Sequence, residues 1–385
     1  MTNTDRSVSD RSAPGLEGVI FTDTNLSLID GTLGKLMYVG YDIHDLVDHA
    51  HFEEVCYLLW HGELPTAPEL SLFQSELLSL RALSPEEWAL VEGIPLTGHG
   101  MDALRTLVSG AAMLDQRADE ISIDAAIRVG MILMAKMPTL IAAWHRRRSG
   151  LAPVAPDLKL NHAANFLYML HGEPPSETAT RAFNTYLVSL AEHGLNASTF
   201  AARVAVSAQS DIYAAITAAI GTLKGLLHGG ANQKAMETFL AIEDPKKAQS
   251  YIEGMLARGG RLMGVGHRIY RVEDPRVNRL RRAVVEMSKE YGGTGHDVAD
   301  AVGQVVSENA FFTSRKLNPN VEFYSAPLLH ELGIPLDLFT VAFALSRIGG
   351  WIGHCCEQIA DNRLIRPKAG YSGPLERAYA PVDKR

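Results

Sequence analysis

Residues 274–293, DPRVNRLRRAVVEMSKEYGG, show most directly which kind of fold the chain adopts. Four apolar side chains in this stretch recur at the spacing of a single helical face: Leu280, Ala283, Val284 and Met287. Asp274 followed by Pro275 is a typical helix start, and the glycines at 292 and 293 are a typical helix end. The stretch therefore predicts one amphipathic helix whose two ends are both encoded.

Helical spacing of apolar residues recurs on both sides of this stretch. It is found at Phe52–Leu59, and the alanine-dominated segment 201–227 has few large side chains, which lets helices approach closely. The segment 337–360 is apolar along one side. Its second row is formed by Arg347, Trp351, His354 and Gln358. Because Trp and His are rare on a merely solvated face, we expect this row to meet a partner subunit or a cleft.

The segment from Gly18 to Tyr41 departs from the helical pattern. Two apolar runs, residues 19–21 and 36–39, flank a polar centre that ends in the turn pair Asp30-Gly31. This arrangement predicts one or two small strands joined by turns. With no internal repeat elsewhere, the sequence predicts a mainly α-helical protein with a minor N-terminal β element.

The composition is that of a globular protein in a reducing compartment. Of the 385 residues, 46% are hydrophobic and 21% are charged, and the three cysteines (Cys56, Cys355, Cys356) offer no disulfide framework. Residues 1–15 are polar, lack the apolar region of a signal peptide and are expected to form a flexible arm. The longest apolar stretch, Ile127–Trp144, is interrupted by charges, so no membrane span is expected. A net charge of −8 gives no support to a nucleic-acid partner, and we expect a cytoplasmic protein.

Three glycine- or proline-rich breaks divide the helical pattern and carry ionisable residues. They are residues 224–232 with His228, residues 259–267 with His267, and residues 318–322 with Glu322. Glycine there allows the main chain to approach a ligand or to act as a hinge. We therefore expect a small domain at 222–330 and a large helical domain at 16–221 plus 331–385.

The arginines between 261 and 282 are a candidate anion site in an otherwise acidic chain. Arg279, Arg281 and Arg282 fit a solvated helix face. Arg271 and Arg276, by contrast, lie between the His267 loop and a helix start, where backbone N–H groups also favour anions. Glu322 precedes an apolar run, and a carboxylate drawn out of water is a better base for removing a proton from carbon.

Other polar clusters carry less information. His44, His49 and His51 do not share one helical ligand face, so no metal site is expected. Arg363 and Arg366 fit either surface charges or carboxylate clamps. The residues alone therefore indicate a site with two histidines, a carboxylate and several arginines, and do not indicate a particular reaction.

Several motifs, in the same order, resemble those of the citrate synthase family. The segment 52–65 is similar to an early helix and turn of that family, and 193–200 (HGLNASTF) to its substrate-binding segment. Residues 227–232 (LHGGAN) and 264–270 (GVGHRIY) resemble its two catalytic-histidine loops. Arg276, Arg347 and Arg366 stand where the family has carboxylate-binding arginines. The likeness extends from about Gly18 to Gly373.

The resemblance implies a homodimeric enzyme that joins acetyl-CoA to oxaloacetate with no metal or redox cofactor. It implies that oxaloacetate is held by His193, His267, Arg276, Arg347 and, from the other subunit, Arg366. Glu322 would remove a methyl proton while His228 donates a hydrogen bond to the enolate oxygen. The main chain at Leu262, Gly264, Val265 and Gly266 would approach the adenine of CoA. Arg271 and Lys316 would meet the CoA phosphates.

Three positions depart from the family pattern. The family base is usually aspartate, and Glu322 has one more methylene group. Either the loop has shifted to compensate, or the enzyme is slow or prefers another substrate. Val39 and Gly194 stand where the family tends to have arginine and glutamate.

Two alternative functions follow from these departures. One is a 2-methylcitrate synthase that uses propionyl-CoA, although Leu195 weighs against it because those relatives tend to have phenylalanine there. The other is a weakly active paralogue that binds acyl-CoA.

Overall fold

The computed structural model describes residues 14–267, 269–292 and 295–385. Most of the predicted N-terminal arm and Arg268 lie outside the described residues. The described residues form two compact units. One unit consists of two segments, the described residues before Thr24 and Leu364–Arg385. Arg366 is exposed within it. The other unit, Thr24–Arg363, contains the sheet and the helices that follow.

Within the described residues the chain is mainly helical, as predicted. The helices are α1 Ile43–His49, α2 Phe52–His61, α3 Ala67–Leu80, α4 Pro85–Gly93, α5 Gly100–Ala111, α6 Ile123–Arg148, α7 His162–His171, α8 Glu177–Leu190, α9 Ala197–Ser207, α10 Ile212–Leu223, α11 Ala231–Ile242, α12 Ala248–Ala257, α13 Val277–Tyr291, α14 Gly295–Glu308, α15 Ala310–Thr313, α16 Val321–Glu331 and α17 Phe339–Ala360. The three predicted breaks lie before α11, between α12 and α13, and before α16.

The minor β element is a three-stranded antiparallel sheet in the order β1 (Ser27–Asp30), β2 (Lys35–Tyr38), β3 (Tyr41–Asp42). Ser27 pairs with Tyr38 at one end of the first hairpin, and Asp30 pairs with Lys35 at the other. The turn forms because the Asp30 carboxylate accepts the backbone N–H groups of Thr32 and Leu33 at 2.8 and 2.9 Å. The run at 19–21 is not a strand, so the expectation of a strand there is wrong.

Helix α13 ends as predicted but begins two residues late. Gly292 closes it in the left-handed conformation, with φ of 73°. At the start, the Asp274 carboxylate accepts the N–H of Arg276 at 3.1 Å and also binds the guanidinium of that residue. Asp274 thus binds both the backbone and the side chain of Arg276, and the helix begins at the next residue, Val277.

Helix α17 is the central helix of the core and packs on α2, α6, α8 and α9. Both of its rows are buried, including Arg347 and His354 at 1% and 0% exposure. Of the two expected neighbours of the second row, a partner subunit or a cleft, the structure shows the cleft for Arg347 and the protein interior for the rest of the row. Arg347 faces the cleft, and the other three residues contact polar groups of α9 and of the connection between α8 and α9.

Two helical segments, Ile123–Arg148 and Leu336–Ala360, are long and apolar enough to cross a membrane by length and composition alone. The apolar windows of these segments are 78% and 89% buried inside the protein. Such burial is typical of core helices, whose apolar surface is covered by neighbouring helices and not by lipid.

Candidate active site

One cavity of about 840 Å³ brings together side chains that lie far apart in the sequence. Its walls include six of the predicted side chains: His193, His228, His267, Arg276, Glu322 and Arg347. The predicted main-chain segment Leu262–Gly266 also lines it. Arg271 and Lys316 are exposed and lie outside its lining.

His228 is held by the first turn of helix α9. The backbone N–H of Ser198, which can only donate, lies 3.3 Å from Nε2 of His228, and the Ser198 hydroxyl lies 2.8 Å from the same atom. Nε2 therefore accepts, and Nδ1 carries the proton. Burial, with a smaller contribution from Arg347, lowers the pKa of His228 to about 4. At neutral pH the ring is an uncharged hydrogen-bond donor through Nδ1.

His267 presents the opposite nitrogen. Its Nδ1 accepts the backbone N–H groups of Ile269 and Tyr270 at 3.0 and 3.2 Å. The proton therefore resides on Nε2, which remains available to a ligand. Burial and the nearby Arg276 lower the pKa of His267 to about 4. This ring is also a neutral donor at neutral pH.

His193 lies beside His267, with ring centroids 5.4 Å apart. Nε2 of His193 is 3.1 Å from the hydroxyl of Tyr270. Burial, followed by the positive charge of Arg276, holds the pKa of His193 well below its usual range. Three neutral polar rings thus form one side of the cavity.

The two arginines of the cavity differ in how their charge is balanced. Arg276 is buried and binds both carboxylate oxygens of Asp274, at 2.9 and 2.6 Å. Arg347 donates from Nε to the carbonyl of Leu190 at 2.7 Å and lies over the ring of Phe343 at 4.7 Å. Its Nη1 is buried and has no hydrogen-bond partner among the described residues. A buried guanidinium nitrogen without a hydrogen-bond partner is costly, and it fits an anionic ligand.

Glu322 lies in the first turn of α16, where the Asn320 side chain accepts its backbone N–H at 3.2 Å. Burial raises the pKa of Glu322, although Arg276 and Arg347 attract its charge. A carboxylate with a raised pKa near two neutral histidine donors is suited to removing a proton from a weak carbon acid.

The loops that carry His267 and Glu322 are joined by backbone pairing. Gly266 donates to the carbonyl of Asn318 at 2.8 Å, and Asn320 donates to the carbonyl of Gly264 at 3.0 Å. Gly264 and Gly266 have φ values of +81° and +86°, which disfavour any side chain there. The predicted glycine-rich break is thus an ordered loop whose main chain faces the cavity.

Some functional candidates could not be inferred from the sequence. Ser198 lies in a quoted motif, but nothing in the pattern indicates that it would orient His228. Glu192 is buried and accepts hydrogen bonds from Ser27 and Gly194, and it lies 3.1 Å from His354. Only the folded chain brings these groups together.

The arginines on the exposed face of α13 are paired with carboxylates of the same chain. Arg279 and Arg282 pair with Asp48, and Arg281 pairs with Asp300. Among the described residues, no group of three or more His, Cys, Asp or Glu side chains is arranged to hold a metal ion.

Comparison with known proteins gives a consistent result. Residues 15–368 match the family model described as citrate synthase, C-terminal domain. The chain is 45% identical to a citrate synthase of Haloferax volcanii, over 96% of this chain and 98% of that protein. It is also 41% identical to 2-methylcitrate synthase 2 of Corynebacterium glutamicum, over 96% and 97% of the two chains.

A similar solved structure is that of citrate synthase from Thermoplasma acidophilum in a ternary complex with carboxymethyl coenzyme A and oxaloacetate. The TM-score is 0.91 at 31% sequence identity, covering 97% of this chain and 100% of that chain.

Proposed function

Because the chain belongs to the citrate synthase family, we propose that its cavity condenses acetyl-CoA with oxaloacetate to give citrate and CoA. One observation carries the assignment of roles. The cavity combines a buried arginine with one unpartnered nitrogen, two histidines that offer neutral N–H donors, and a carboxylate with a raised pKa. The reaction needs one anion site, two hydrogen-bond donors and one base.

Oxaloacetate is a dianion with a ketone, and it fits the side of the cavity formed by the three rings and the arginines. Arg347 Nη1 has no partner in the part of the chain that the structure describes, and it is the natural donor to one carboxylate. Arg276 supports this role less directly, because Asp274 already binds its guanidinium. His267 donates from Nε2 to the ketone oxygen, and this hydrogen bond strengthens as negative charge develops there.

Acetyl-CoA is activated by Glu322 and His228. Glu322 removes a proton from the methyl group, and Nδ1–H of His228 donates to the thioester oxygen as the enolate forms. The enolate carbon attacks the ketone carbon, and a C–C bond replaces the C=O π bond while His267 stabilises the alkoxide, which then takes up one proton to become the hydroxyl. Water then cleaves the thioester of citryl-CoA, which releases CoA.

The remaining assignments belong to the same proposal. Leu262–Gly266 contacts the adenine of CoA, and the exposed Arg271 and Lys316 meet its phosphates. The enzyme is a cytoplasmic homodimer in which Arg366 completes the oxaloacetate site of the partner subunit. A small domain at 222–330 closes on the large domain and excludes water during condensation.

The test is thiol release from acetyl-CoA in the presence of oxaloacetate, for the wild type, Glu322→Asp and Glu322→Gln. We expect the wild type to turn over and Glu322→Gln to lose about 100- to 10,000-fold in kcat, since the amide cannot accept the proton. An inert wild type whose activity appears in Glu322→Asp would instead show that the fold is kept while the natural activity differs.

A second candidate, the 2-methylcitrate synthase reaction with propionyl-CoA, is favoured by the relative from Corynebacterium glutamicum that carries that name. The same assay separates the two, because each acyl-CoA gives its own kcat/KM. A higher kcat/KM with propionyl-CoA would replace the first assignment.

A further inference from the structure

The hairpin β1–β2 lies between the two segments that carry His193 and His267. At its open end, Ser27 faces the backbone around His193. The Ser27 hydroxyl donates to the Glu192 carboxylate at 3.0 Å and accepts the N–H of Gly194 at 3.1 Å. The hairpin therefore contacts the residues on both sides of His193.

Tyr38, the cross-strand partner of Ser27, adds a buried contact to the same segment. Its hydroxyl accepts the N–H of Glu192 and lies within donating distance of the carbonyls of Val188 and Ser189, at 3.2 to 3.3 Å. These contacts fix the end of α8 and the start of the His193 segment to the hairpin.

The turn of the hairpin contacts the segment that follows His267. The N–H of Arg271 donates to the carbonyl of Gly31 at 2.8 Å. A Cβ added at Gly31 would overlap the carbonyl oxygen of Ile269 and lie 2.7 Å from its carbon. One added at Gly34 would lie 2.8 Å from Val272. The turn thus approaches this backbone as closely as glycine allows.

A direct hydrogen bond completes the arrangement on the cavity side. Tyr270, which lies in the segment bound by the turn, contacts Nε2 of His193 at 3.1 Å. Ile29, in the middle of β1, lines the same cavity. Each strand of the hairpin has four residues and spans roughly 13 Å, so the open end and the turn contact two loops at a set separation.

We infer that the hairpin β1–β2 is a positioning element that sets the separation of His193 and His267, and that Gly31 and Ser27 are its positioning residues for the oxaloacetate half of the reaction. The inference rests on the proposed function. Neither residue touches the reacting atoms. Each acts through the backbone that carries a histidine.

Gly31→Ala tests the close approach of the turn. The φ of Gly31 lies outside the left-handed region, so alanine meets Ile269 without backbone strain of its own. We expect the KM for oxaloacetate to rise on the order of 10- to 100-fold, because displacements of about 1 Å have costs of that size. The KM for acetyl-CoA should change little, whereas the overlap with the Ile269 backbone should also lower the melting temperature.

Gly93→Ala is the matched control, since a Cβ there meets no atom within 4 Å and the φ is also outside the left-handed region. It should leave both KM values unchanged. A purely structural role for Gly31 would lower the melting temperature and the active fraction but leave the KM for oxaloacetate as in the wild type. That result would overturn the inference.

Ser27→Ala and Ser27→Thr test the contacts at the open end of the hairpin. They remain informative if Gly31→Ala does not fold. Ser27→Ala should raise the KM for oxaloacetate, and Ser27→Thr should restore it because the hydroxyl is kept. Equal KM values in Ser27→Ala and the wild type would contradict the inference. If the wild type does not turn over, the proposed function fails, but the hairpin can still be tested. The readout is then the shift in melting temperature that oxaloacetate causes, compared between the wild type and these variants.

Discussion

At the scale of single residues, Glu322 contributes to the loss of activity at acidic pH. Burial raises its pKa, and only the ionised carboxylate can take a proton from the methyl group. His228 and His267 donate as neutral rings above a pKa of about 4. All three groups therefore lose their working state on acidification, and none loses it between neutral and alkaline pH.

We predict that kcat falls with acidification and that Glu322 accounts for part of this fall at a pH above the usual range of glutamate. The measurement is the pH profile of kcat for the wild type and Glu322→Gln. The residual kcat of Glu322→Gln should fall less steeply on acidification, because the ionisation of Glu322 is absent. An unchanged limb in this variant would assign the ionisation to another group.

Single residues also show how far chemistry could be predicted. His228, His267 and Glu322 are identifiable because each stands in a break rich in glycine or proline, where the backbone approaches ligands. The protonated nitrogen of each histidine is not identifiable in this way. It depends on Ser198 for one ring, and on the two backbone N–H groups of the His267 loop for the other.

At the scale of elements, the placement of helix α16 determines where Glu322 lies. The hydroxyl of Tyr324 donates to Asp300 of α14 at 2.7 Å, and Arg281 of α13 binds both oxygens of that carboxylate at 2.8 and 2.6 Å. This chain of contacts joins three helices directly behind the turn that carries Glu322.

Tyr324→Phe should therefore lower kcat while leaving the KM for oxaloacetate near the wild-type value, because the anion-binding arginines are untouched. Loss of one hydrogen bond to a charged acceptor should also cost about 1.5–3 kcal/mol of stability. Steady-state kinetics and urea unfolding measure the two effects. Ser307→Ala, which removes a hydroxyl that bonds only within its own exposed turn, is the control. A kcat equal to the wild type would show that α16 is held without this contact.

At the scale of the whole molecule, the proposed dimer makes Arg366 testable by mixing. If Arg366 serves the partner's site, Glu322→Gln and Arg366→Ala homodimers are both impaired in every site. A mixed dimer contains one site with an intact Glu322 and an intact Arg366 from the partner. Co-refolding equal amounts should restore activity to about a quarter of the wild type, as a twofold dimer requires. Activity equal to the mean of the separate variants would contradict the shared site.

The sequence by itself determined the helical class, the end of α13, the three ionisable breaks and the family resemblance. These features are local, because periodicity, caps and glycine act within a few residues along the chain. They do not depend on contacts with distant parts of the chain.

Only the tertiary structure decided which face of α17 meets the cleft, that Arg347 keeps an unpaired Nη1, and that the hairpin contacts both histidine segments. It also decided where α13 begins, at Val277, directly after the Arg276 that Asp274 binds. The physical reason is distance along the chain. Ser198 and His228 are separated by 30 residues, and Ser27 and Glu192 by 165, so only the packing of the core brings these groups within hydrogen-bonding distance.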